Sequence, residues 1–230
     1  MKTLVWSFAS ALLATAASIV VPAPATAQEI GKLYAARPPE GSAFVRVVSG
    51  LEQPAAVGIG ADKAETLSAA DGAATVFRIV KGDTQVPLSV DGAELPEKLS
   101  VPADAFVTVL LRKDGDKIKA TPVVDSTQGQ DALKVELRVY NLVPACAAAI
   151  VIASGPEVFN GVETDSTRRR AINPVAATLE GRCGEAASKP LTLPALKAGD
   201  RFSLFLTGTA ARPVLHGQID RTEGQAAGSQ

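Results

Sequence analysis

The sequence predicts an all-β fold: two tandem small β-sandwich domains joined by a short linker. Three observations carry this. Short β-branched or aromatic runs recur along the 230 residues, each bounded by Gly, Pro, Asp or Asn. Helix signals are scarce, since beyond the apolar N-terminus only 61–68 could hold a helical turn or two. The second half of the chain also echoes the first.

Taken in order, residues 1–27 have the pattern of a cleavable secretion signal. Lys2 supplies a positive charge, Leu4 to Val21 is an unbroken run of apolar and small residues, and Pro22 ends it. Ala25-Thr26-Ala27 places small residues where a signal peptidase reads, so the mature chain is expected to begin at Gln28, in the periplasm or beyond. The rival reading is an uncleaved membrane anchor, because the run approaches the shortest spanning length. Lys2 is the only charge in this segment, so 23 basic against 24 acidic residues become 22 against 24 in the mature chain. That balance calls for no nucleic acid or anionic membrane as partner.

The first sandwich domain is expected over 33–124. Its strand signals are Ser42 to Val48, Ala74 to Val80, Gln85 to Val90 with an Asp91-Gly92 turn, and the pair Phe106 to Leu111 and Lys117 to Val123 around Asp114-Gly115. The polar stretch Asp125 to Asp131 is the natural linker. The second domain, over 131–221, shows Leu133 to Tyr140, Ala147 to Ile152, Val175 to Leu179, Phe202 to Leu206 and Val214 to Ile219. The tail 222–230 has nothing to bury and is expected to be disordered.

The internal echo is specific in two places. Arg46-Val47-Val48-Ser49-Gly50-Leu51 matches Arg138-Val139-Tyr140-Asn141-Leu142, and each is followed by a proline and an Ala-rich apolar run. Residues 103–110 match 198–205, and the two offsets are 92 and about 96. Chance likeness between two β-rich segments is the alternative.

The two cysteines, Cys146 and Cys183, are expected to form a disulfide in an oxidising compartment, closing a loop worth roughly 4 kcal/mol in chain entropy. Two buried thiols are the other possibility. No metal site is expected, because two cysteines without a suitably spaced histidine fall short of a ligand set. No cofactor is expected either: Gly58-Ile59-Gly60 lacks the third glycine and the βαβ setting of a dinucleotide site.

Catalytic signals are thin, and no catalytic residue is assigned. A nucleophile needs a base in hydrogen-bond reach, and the one histidine, His216, sits inside the last strand signal. No Gly-x-Ser-x-Gly elbow surrounds any serine. Any mechanism built on a serine or threonine with a histidine base would therefore have to run through His216. The cluster Arg168-Arg169-Arg170 could pair bidentately with carboxylates of an acidic polysaccharide or a partner protein. It could equally be a solvated loop or the exposed face of a strand.

The segment Leu33-Tyr34-Ala35-Ala36-Arg37-Pro38-Pro39-Glu40-Gly41-Ser42-Ala43-Phe44-Val45-Arg46-Val47 resembles the mature N-terminus of the AlgF family, the periplasmic alginate O-acetylation proteins. The resemblance implies a part in acetylating an exopolysaccharide such as alginate. The partners it implies are a membrane-bound acyltransferase and periplasmic SGNH-type acetyltransferases, which a non-catalytic adaptor would link. It supplies no catalytic residues to carry over; the alternative is an enzyme that carries acetyl groups on a serine or threonine with His216 as its base. The expected contact surfaces for a partner or an anionic polysaccharide are Arg168, Arg169 and Arg170 together with Tyr34 and Arg46. A third reading is a carbohydrate-binding β-sandwich, for which the mature chain offers only Tyr34, Tyr140 and six phenylalanines as stacking surfaces.

Overall fold

The computed structural model describes residues 37–68, 73–127 and 130–223. The expected signal segment, Tyr34 and residues 224–230 lie outside the described residues.

In the N-terminal half the strands are β1 (Ser42–Ser49), β2 (Ala55–Ile59), β3 (Glu65–Leu67), β4 (Arg78–Lys81), β5 (Thr84–Val86), β6 (Leu88–Val90), β7 (Ala93–Glu94), β8 (Leu99–Val101), β9 (Phe106–Asp114) and β10 (Lys117–Asp125). The C-terminal half continues with β11 (Val135–Asn141), β12 (Ala148–Ile152), β13 (Glu157–Val162), β14 (Ser166–Ile172), β15 (Thr178–Cys183), β16 (Ala186–Ala187), β17 (Leu191–Thr192), β18 (Arg201–Thr209) and β19 (Arg212–Ile219). The first half forms sheets β10-β9-β1-β4 and β3-β2-β6-β7 with a β5-β8 pair. The second forms β14-β11-β18-β19 and β13-β12-β15-β16, with β17 beside β15. The fold is all-β, as the runs and turns predict.

Each half packs one sheet on the other around its own aliphatic core. Val45 and Val47 of β1 and Val107, Val109 and Leu111 of β9 meet Val57, Ile59, Leu88 and Val90 from the opposing sheet. In the second half Leu137, Val139, Phe202, Leu204 and Leu206 meet Ala148, Ile150 and Leu179. Alternation puts every second side chain on the other face. On the middle strands that other face is buried too: Val48 and Leu110 pack against Tyr140, Leu142 and Phe205. The four sheets therefore stack in layers, with a seam between the two inner ones. A buried trio, Phe44, Phe77 and Phe106, extends this layer on the N-terminal side.

The internal echo is a repeat of strand register. β1 lies parallel to β9 with Arg46 opposite Thr108, and β11 lies parallel to β18 with Arg138 opposite Ser203. The matched residues keep offsets of 92 on the first strand and 95 on the second. The disulfide Cys146–Cys183 is formed, with its Cα atoms 5.5 Å apart.

Several boundaries differ from the sequence reading. Pro87 divides the 85–90 run, because it has no N–H for a ladder, so β5 pairs with β8 and β6 with β2. The 61–68 segment carries strand β3 rather than a helical turn. Val175 is 52% exposed, and the strand expected there begins at Thr178. Asp125 belongs to β10 and is buried rather than serving as linker. Thr222 and Glu223 are not free tail: Thr222 bridges in parallel to Phe77, and the Glu223 amide donates to the Phe77 carbonyl at 2.9 Å.

Candidate functional site

The strongest concentration of polar chemistry lies in the seam. On β1 the core-facing Val45 and Val47 alternate with Phe44, Arg46 and Val48, so Arg46 points at the other half. Its side chain is fully buried. The guanidinium donates to Thr108 Oγ1 at 3.0 Å, Asp220 Oδ1 at 2.6 Å, Tyr140 OH at 2.9 Å and Ser203 Oγ at 2.8 Å. Its Cζ lies 4.4 Å from the Phe77 ring centre and 5.2 Å from those of Tyr140 and Phe205, within cation–π range of all three.

The network runs on from there. Thr108 and Tyr140 each donate their hydroxyl proton to Asp125, at 2.7 and 2.8 Å. Asp125 pairs with Arg138 at 2.8 Å, Arg138 with Glu136 at 2.7 Å, and Glu136 with Arg169 at 3.1 Å. Positive and negative charges alternate along this chain and balance. The two halves are tied reciprocally: Arg46 reaches Asp220 of the second half, and Arg138, its repeat partner, reaches Asp125 of the first. The two aspartates are themselves 95 residues apart, in keeping with the repeat of the second strand.

Burial alone would discharge Arg46 and Arg138, but the surrounding acids more than offset it and hold both firmly protonated. For Arg46 these are chiefly Asp220 and Asp125; for Arg138, Asp125 and Glu136. Burial raises the Tyr140 phenol well above its ordinary value, so it stays a neutral donor. Arg201, beside Gln130 and over the Phe106 ring, is shifted down by burial.

Two further clasps cross the seam. Asp165, in the turn between β13 and β14, accepts from Arg112 Nε at 2.9 Å and from Lys119 Nζ at 3.1 Å. Burial would raise its carboxyl, but these hydrogen bonds win and hold it below its ordinary 3.8. At the far side, the Phe77 amide donates to Arg221 O at 2.9 Å and the Ile79 amide to Glu223 Oε1 at 3.1 Å. Gly50 marks a close approach, since a Cβ there would sit 3.1 Å from the Leu142 side chain.

The sequence-predicted contacts separate. Arg46 is corrected: a fully buried side chain holding the halves together cannot meet a partner. Arg168, Arg169 and Arg170 are exposed on β14, the last strand of its sheet, which places them on a strand, the second of the two structural alternatives. Sequence reasoning missed Thr108, Asp125, Tyr140, Ser203 and Asp220, although Arg46 and Arg138 stood at matching places of the echo. His216 Nε2 meets Thr207 Oγ1 at 3.1 Å, and burial lowers its pKa. Its partner is a threonine, where a catalytic pair would need an orienting acid beyond a nucleophile. The six phenylalanines among the described residues and Tyr140 are buried, the most open at 6%. None of them offers a face for stacking a sugar.

An all-β chain of two register-matched halves locked by a buried ionic seam is the class of protein this site defines. The match to known families narrows it. The family model described as "Alginate O-acetyl transferase AlgF" covers residues 16–202, and the chain belongs to the AlgF family. An alginate biosynthesis protein AlgF of Pseudomonas putida is 26% identical over 210 residues, spanning 90% of this chain and 94% of that protein. One from Azotobacter vinelandii is 29% identical over 178 residues, spanning 77% and 78%. The solved C-terminal domain of AlgF from P. aeruginosa shares 26% identity across 38% of this chain and 98% of its own length, with a TM-score of 0.34.

Proposed function

We propose that this protein is a periplasmic, non-catalytic adaptor required for O-acetylation of an exopolysaccharide such as alginate. It links a membrane-bound acyltransferase to periplasmic SGNH-type acetyltransferases. Family membership over residues 16–202 carries the reading. The disulfide fits an oxidising compartment. The organisation fits a scaffold: its halves, 33–124 and 131–221 as tandem domains, are joined by a charged seam and would hold two partners at a fixed spacing. An acetyl-carrying mechanism would have to run through the His216–Thr207 pair, whose threonine is buried with its hydroxyl directed at the Val214 carbonyl.

The test is the O-acetyl content of secreted polymer from a deletion strain complemented with wild type or His216→Gln. The adaptor reading expects deletion to abolish acetylation and His216→Gln to restore it. A folded His216→Gln protein that fails to restore it makes the chain an enzyme. Unchanged acetylation on deletion removes the role altogether.

A further inference from the structure

The repeated register lets positions in the two halves be compared one for one, and one edge proves incomplete. Val45 lies opposite Arg78 across β1 and β4, and Leu137, its counterpart, lies opposite Arg170 across β11 and β14. Val45 and Leu137 both face their own core. Both arginines therefore extend over the open side of a sandwich, where its two sheets part.

In the N-terminal half the arginine is received by acids. Arg78 Nη2 meets Glu65 Oε2 at 3.0 Å, Nη1 stands 3.8 Å from Asp62 Oδ2, and the Lys63 carbonyl accepts at 3.4 Å. In the C-terminal half the Arg170 guanidinium donates, among the described residues, only to a backbone carbonyl, that of Val158 at 3.1 Å. The Arg168 guanidinium, two residues along the same face, makes neither hydrogen bond nor ion pair among the described residues. The cause is local. Glu65 stands opposite Val57, whereas the residue opposite Ile150, the matching core position, is the buried Phe159. The outer edges differ as well: Arg221 and Glu223 hydrogen-bond to Phe77 and Ile79 beside β4, while among the described residues β14 pairs with β11 alone.

The geometry points to the β13–β14 edge as a docking site for an acidic peptide segment of a partner protein. That segment brings carboxylates spaced as Asp62 and Glu65 are, so that Arg168 and Arg170 receive what Arg78 already has. A peptide fits better than a polyuronate, because the acceptor this fold uses for the equivalent arginine is itself a peptide. A sheet edge also adds main-chain hydrogen bonds to a strand. Charges on an edge also deter aggregation, but that role requires no particular spacing of acids on a ligand. The inference rests on the adaptor reading and names the surface by which one partner is held.

The probe is a labelled, end-blocked hexapeptide of sequence Asp-Lys-Ala-Glu-Thr-Leu, the chain's own 62–67 segment. It is titrated into the purified protein with anisotropy and amide chemical shifts as readouts. Saturable binding with shifts confined to 157–172 is expected. Arg168→Glu/Arg170→Glu should weaken it at least about tenfold, as should the Asn/Gln version of the peptide. Arg168→Gln/Arg170→Gln serves if charge reversal disturbs folding. Absence of saturable binding, or binding indifferent to both double variants, overturns the proposal. Tighter binding of a mannuronate oligomer at the same amides overturns it too, and makes the edge a polymer site. None of these outcomes depends on acetylation, so failure here leaves the adaptor reading standing, and the deletion experiment can fail without touching this edge.

Discussion

The aliphatic cores and the seam between them are built from the same strands, one face each, by opposite chemistry. On β1, Val45 and Val47 enter a core in which only shape and volume matter, while Arg46 enters a seam in which its guanidinium donates to four side-chain acceptors. An apolar face tolerates many partners of similar size. A buried guanidinium tolerates only the one that supplies its acceptors, because an unpaired charge out of water costs several kcal/mol. The cores hold each half together, and the seam specifies how one half sits on the other.

That contrast is broken most directly at Arg46. Arg46→Met should cost about 3–5 kcal/mol, since it strands Asp220 and removes the donor shared by Tyr140 and Ser203. Leu137→Ala, in the core of the second half, should cost a similar ~2–5 kcal/mol. The two should differ in form rather than size. Chemical denaturation of the Arg46 variant is expected to split into two transitions as the halves part, while the Leu137 variant keeps one. A single unshifted transition for Arg46→Met would mean the seam contributes nothing. Arg46→Lys should fall between, keeping the charge and losing the planar fork that serves four acceptors.

The halves also differ in how they secure their outer sheets. The second uses the Cys146–Cys183 bond. At the corresponding turn the first uses Asp91, whose carboxylate accepts from the Ala56 amide at 2.8 Å while its own amide donates to the Ala56 carbonyl at 2.7 Å. Replacing both cysteines with serine should cost about 2–5 kcal/mol and lower the transition of the second half. Asp91→Ala should cost only about 1 kcal/mol, because one exposed hydrogen bond is lost. Equal effects would show that the disulfide does no more than a turn.

How much of this could be read in the sequence follows from the same contrast. Strands with one wet and one dry face, or bounded by Asp-Gly turns, were legible, as were the disulfide and the repeat. β1 and β9 read as strands, but nothing in their near-continuous apolar runs said that both faces are covered. Arg46 therefore looked like a surface residue, although its recurrence as Arg138, and that of Asp125 as Asp220, was the available signal. β13 and β14 were not legible. An edge strand bearing three successive arginines has the composition of a loop, because solvent rather than a core sets its residues.

A smaller effect tests the outer clasp of the seam. Asp165 is held below its ordinary 3.8 by Arg112 and Lys119. A carboxyl depressed in the folded state stabilises it above the unfolded value, and that stabilisation is lost as pH falls through the folded value. Asp165→Asn should thus cost about 1 kcal/mol at neutral pH and progressively less below about pH 4. A deficit that persists unchanged in acid would mean the loss is one of packing.

The smallest expected effect falls on His216, at the rim of the seam. Burial lowers its pKa from 6.5. Below that value the unfolded chain takes up a proton that the folded chain still refuses, so stability falls as pH drops from about 6.5 toward the folded value and is unaffected above it. The slope can reach at most about 1.4 kcal/mol per pH unit for one group. His216→Gln keeps a partner for Thr207 Oγ1 and removes the titration, so its stability should be flat where wild type begins to decline below about pH 6.5. The comparison with Asp165→Asn then separates the two sources of acid sensitivity. One belongs to a clasp that loses its charge below about pH 4, the other to a buried ring that resists gaining one. If His216→Gln keeps the wild-type slope just below that pH, the decline originates in another group.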